Sequence, residues 1–137
     1  MSFMVRFLLL FVCLTGCGAS GLDLQAAMAR ADARVYAACG LHVAPSSVRL
    51  VRGYIDCGAA KRAVGCTTLP SRRVELSRVL PTQAELELVA VHEYLHLLGA
   101  THVPAGQGIM GVDRGSMIDR VTAADLATVG CPRSRPE

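Results

Sequence analysis

The sequence predicts an α+β fold. Three observations carry that class: helical spacing of apolar residues after position 22, alternating β-branched segments in the middle, and two capped helices towards the C-terminal end. The 137 residues suffice for one domain, and 52% hydrophobic against 18% charged residues allows a real core. The formal charge of +3 is small and its arginines are scattered, so charge gives no reason to expect a nucleic-acid partner.

Residues 1–16 predict a signal peptide rather than part of the fold. Arg6 precedes an apolar run from Phe7 to Leu14, too short for the ~20 residues that span a bilayer. Leu14-Thr15-Gly16-Cys17 resembles the bacterial lipobox, which implies lipidation of Cys17 after cleavage. The alternative is an ordinary secretory signal. Under the lipobox reading, 17–21 is a lipidated tether, and the protein is exported and anchored by its N-terminal lipid to the cell envelope. Export also implies disulfides among the four remaining cysteines, with three connectivities open. Cys57 and Cys66 bracket the polar stretch GAAKRAVG and form the natural local pair. Cys39 and Cys131 would then close the long loop.

The folded domain is expected over 22–132. Leu24, Met28, Ala31 and Val35 recur at helical spacing, and Gly40 can close a helix over about 23–38. Val48 to Ile55 and Arg73 to Val79 alternate as strands do, with a third short strand near Val64 to Leu69. Thr82 and Glu85 match a capping box, and Leu86 to Leu98 is apolar nearly all round, as a central helix requires. Residues 103–119 carry Pro104 and four glycines and predict a loop. Thr122 and Asp125 form a second capping box, opening a short helix that Gly130 ends. The segment 133–137 (RSRPE) reads as a flexible tail.

Three of the four histidines fall in HEYLHLLGATH, residues 92–102. His92 and His96 lie one helical turn apart on one face and can share a metal ion, while Glu93 sits about 100° round the helix, beside the metal rather than on it. Gly99 lets the chain turn sharply out of the helix, so that His102 returns as a third ligand. Three neutral imidazoles with an open fourth position suit catalytic Zn²⁺, and Glu93 is placed to act as base. Five residues in register are far more specific than a bare H-E-x-x-H. His42, outside the motif, reads as a surface or turn histidine.

H-E-x-x-H-x-x-G-x-x-H resembles the signature of the metzincin metalloproteases. Met110, in HVPAGQGIMG, stands where the matrixin branch places its Met-turn methionine, with Met117 as the competing position. VTAADLATV resembles the matrixin segment after the Met-turn, and Asp125 matches the aspartate that braces that turn. Ala124 replaces the aspartate that pairs with a freed N-terminus, and no tyrosine follows His102 to act as a further ligand. Cys39-Gly40 is similar to a cysteine switch only superficially, and a disulfide role suits Cys39 better.

The resemblance implies a minimal metzincin-like zincin: a small mixed sheet, an active-site helix and a short C-terminal subdomain. It implies a zinc endopeptidase acting on a protein or peptide substrate through a water activated by zinc and Glu93. Substrate would lie along an edge strand, for which Arg73 to Val79 is the expected segment unless that segment is merely a solvated sheet edge. The loop from Gly111 to Met117 would wall the pocket beyond the cleaved bond. Two rivals stand beside this reading: a membrane-anchored binding or assembly module with structural zinc, and a zinc amidase acting on cell-wall peptides.

Overall fold

Helix α1 (Leu24–Cys39) starts where the Asp23 side chain accepts the Ala26 N–H (2.9 Å) and stops at Gly40, whose φ of 79° is left-handed. Its fully buried face is Ala27, Ala31, Val35, Ala38 and Cys39, whereas Leu24 and Met28 are only partly buried. The small alanines bring the helix close against its neighbour in the core. A computed structural model describes residues 21–137, so the expected signal peptide and the expected lipidation site Cys17 lie outside the described residues.

The sheet is built from β1 (Ser47–Val51), β4 (Gly65–Thr68) and β5 (Arg73–Ser77), in the order β1-β5-β4. Strand β5 runs parallel to β1 and antiparallel to β4. The segment Arg73 to Val79, expected at a sheet edge, is therefore central, and both edge expectations for it are corrected. From Val74 to Ser77 every residue is buried, the polar ones included. Glu75 pairs with Arg49 of β1, and Ser77 Oγ donates to the Gly53 carbonyl (2.5 Å). The edge beside the helix layer belongs to β4.

The strand expected over Val48–Ile55 is broken at Arg52–Tyr54, where Gly53 takes a φ of 72°. Its second part is β2 (Ile55–Cys57), which pairs antiparallel with β3 (Ala60–Ala63). Most of the polar stretch between the two cysteines is thus hairpin, since Gly58 (φ 63°) allows a tight turn. Cys57–Cys66 ties this hairpin to β4, and Cys39–Cys131 ties the end of α1 to the C-terminal region. The second bridge closes a sequence separation of 92 residues. In the chain-entropy account a loop of that order stabilises by about 4–5 kcal/mol.

Helix α2 (Gln83–Leu97) packs against α1 and against β4 and β5, and is buried nearly all round. Thr82 caps it by accepting the Glu85 N–H (3.2 Å). The expected reciprocal bond is replaced: the Glu85 carboxylate accepts from the Thr82 hydroxyl and pairs with Arg114 (3.2 Å). The helix ends at Leu98, and Gly99 (φ 94°) turns the chain. A loop then leads to α3 (Ala123–Leu126), which has the full Thr122–Asp125 capping box but only four residues. It ends well before Gly130, as the chain turns to bring Cys131 to Cys39.

Residues 133–137, expected as a flexible tail, contact the rest of the domain. Arg133 and Arg135 donate their backbone N–H groups to the carbonyls of Cys39 (3.3 Å) and Ala38 (2.8 Å), and the Glu137 N–H donates to the Val121 carbonyl (2.9 Å). Arg34 grips the Glu137 carboxylate through Nε (3.0 Å) and Nη2 (2.6 Å), which holds that carboxyl below its usual range. No helix among the described residues is long and apolar enough to cross a membrane.

Candidate metal centre

Helix α2 presents His92 and His96 on one face, and the turn at Gly99 returns His102 towards them. The three ring centroids form a near-equilateral triangle with sides of 4.8, 5.2 and 4.9 Å. One ligand nitrogen from each ring lies within 4.8 Å of the other two, so this group could hold a metal ion. His92 is buried, His96 half-buried and His102 exposed at the mouth.

Two of the rings are oriented by backbone. His92 Nδ1 lies 2.8 Å from the Ile109 carbonyl, and His96 Nδ1 lies 2.9 Å from the Ala100 carbonyl. A carbonyl only accepts, so each Nδ1 carries the proton and each Nε2 keeps its lone pair. Burial lowers the basicity of both, taking His92 down to about 4 against the opposing pull of the Ile109 carbonyl, with His96 shifted the same way. At neutral pH these imidazoles are neutral, the form that binds metal.

Glu93 is 5% exposed and faces β4. Burial pushes its carboxyl up to about 7, opposed by a hydrogen bond that its Oε2 accepts from Thr67 Oγ1 at 2.7 Å. A carboxyl of that strength suits proton acceptance and return near neutral pH.

Behind the histidines lies Asp125, which is fully buried. Its carboxylate accepts the N–H groups of Ile109 (3.1 Å), Met110 (2.9 Å) and Thr122 (2.7 Å), and the Thr122 hydroxyl (3.0 Å). A chain of contacts therefore runs from Asp125 through Ile109 to His92. Gly108 leaves room for it, because a Cβ there would strike the Asp125 carboxylate. Met110 is fully buried within this turn, and the Val103 N–H donates to its carbonyl (3.0 Å). Met117 instead lines the cleft.

The histidines and Glu93 open onto a cleft of about 920 Å³. On one side stand β4 and the β2–β3 hairpin, with Thr67 and Arg62; on the other stands the loop from Gly111, with Val112 and Met117. Comparison of the chain with protein-family models, with curated proteins and with solved structures returned no match.

The structure brings together every motif residue singled out in the sequence: His92, Glu93, His96 and His102 at the cleft, Gly99 at the turn, and Met110 with Asp125 behind. His42 lies apart on the surface, where its Nδ1 is 2.8 Å from Asp32 and its ring stacks on Tyr36. Sequence reasoning missed Thr67 and Gly65, which contact or make room for Glu93. Nothing local in GCTT marks them, because their importance comes from the pairing of β4 with β5.

Proposed function

We propose that the chain is a zinc endopeptidase of metzincin type, as its H-E-x-x-H-x-x-G-x-x-H motif and Met-turn resemble that family. The observation that carries this reading is a buried carboxylate, Glu93, lining the same open cleft as three converging imidazoles and the edge strand β4. The donor set fits: three neutral nitrogens of the kind zinc prefers, with room towards the cleft for a fourth ligand. Zinc, when bound, polarises the scissile carbonyl and makes water a better nucleophile near neutral pH.

The chain's own residues do the rest. His92, His96 and His102 hold the ion, with His92 and His96 fixed in one tautomer by the carbonyls behind them. Glu93 takes a proton from the attacking water and passes it to the leaving nitrogen. An extended substrate adds to the free edge of β4, the backbone pairing that edge strands offer. Beyond the cleaved bond it meets Val112 and Met117 of the loop. A purely structural zinc site has no use for a buried base or an open cleft, which favours the enzyme over a binding module. A cell-wall amidase would share this chemistry and differ in substrate alone.

A broad peptide library tests the reading. Zinc-loaded protein should cleave internal bonds, chelator should abolish cleavage, and added zinc should restore it. Cleavage that survives complete removal of metal would contradict the proposal. Anchorage is tested separately: by the lipobox reading, Cys17→Ser should move the protein from the membrane fraction to the soluble exported fraction. Unchanged partition would remove the lipid anchor from the account.

A further inference from the structure

We propose that Thr67, with Gly65 beside it on β4, is the positioning residue that aims the Glu93 carboxylate; this rests on the endopeptidase reading above. Residues two apart on a strand share a face, and both of these meet the same side chain on α2. Cys66, between them, is tied to the hairpin through Cys57. Thr67 Oγ1 donates to Glu93 Oε2 at 2.7 Å and lies 3.0 Å from the Glu93 backbone carbonyl. The hydroxyl has one proton to give, so it donates to Oε2, with the backbone carbonyl as the alternative acceptor.

Gly65 acts on the other oxygen. A Cβ at this position would overlap Glu93 Oε1 and come within 2.7 Å of Val89 Cγ1. Oε1 therefore occupies space that only glycine leaves free. With Oε2 held by Thr67 and Oε1 seated against Gly65, the carboxylate has one orientation, and Oε1 is the oxygen left to receive a proton. Both residues line the cleft. They also belong to the edge strand on which an extended substrate would pair, so strand and base keep one fixed relation when substrate docks. Misplacement of a catalytic group by a fraction of an ångström is enough to slow a reaction.

The test uses Thr67→Val and Thr67→Ala, which remove the hydroxyl, and Thr67→Ser, which restores it, all on the zinc-loaded full chain. Both hydroxyl-free variants should lower kcat about tenfold with KM nearly unchanged, and Thr67→Ser should recover most of that loss. In metal-free protein, the Glu93 carboxylate infrared band, found by difference against Glu93→Gln, should shift in Thr67→Val and return in Thr67→Ser. A kcat that does not move, or a band that does not move, overturns the proposal. Should Glu93→Gln cleave as fast as wild type, Glu93 is not the base and the mechanism proposed above fails. The infrared result then decides alone whether Thr67 sets the carboxylate.

Discussion

Glu93→Gln should cut turnover by about 10²–10⁴ while leaving metal content and melting temperature nearly unchanged. The amide has the shape of the carboxylate, and its oxygen can still accept from Thr67 Oγ1. It is neutral, so burying it at 5% exposure costs no more than burying the acid. What it cannot do is accept the water's proton or return it to the leaving nitrogen. Neither His92 nor His96 depends on Glu93 for orientation, since their Nδ1 atoms are held by the carbonyls of Ile109 and Ala100. Steady-state kinetics alongside metal analysis and thermal melts would check this. Equal cleavage by both proteins would remove Glu93 from the mechanism.

Asp125→Ala should have the largest effect on stability. It strips a fully buried carboxylate from the backbone N–H groups of Ile109, Met110 and Thr122, the first two on fully buried residues. Leaving several buried donors unpaired costs about 3–5 kcal/mol. The loss reaches the metal centre, because the carbonyl that orients His92 belongs to Ile109, one of the residues Asp125 holds. Removing an outer support of this kind typically weakens metal binding about 10–100-fold. Urea unfolding of metal-free protein and a zinc titration measure the two effects independently. A cost below about 1 kcal/mol with unchanged affinity would mean that Asp125 does not brace the turn.

How much of this was readable before folding depended on range. The histidine motif lies within one helix and one turn, so its geometry follows from helical spacing and from Gly99. The Gly40 end of α1, the box at Thr122 and the local Cys57–Cys66 pair were legible for the same reason. Strand order was not. Alternation in RVELS marks a strand but says nothing of its neighbours, and Glu75 and Ser77 look solvent-facing until Arg49 and Gly53 satisfy them. The contacts of the tail were hidden in the same way, since its partner Arg34 lies on α1, far off in sequence. Thr67 was hidden because only the pairing of β4 with β5 carries it to Glu93.

Zinc uptake decides whether His92, His96 and His102 form a metal centre. Purified protein equilibrated with zinc and freed of excess should retain one ion per chain. X-ray absorption should place three imidazole nitrogens at about 2.0–2.1 Å from it, with a water oxygen completing the shell. Replacing His92, His96 and His102 together by alanine should abolish retention while both disulfides still form. Wild-type protein that keeps no zinc, or a triple variant that keeps as much as wild type, would contradict the account.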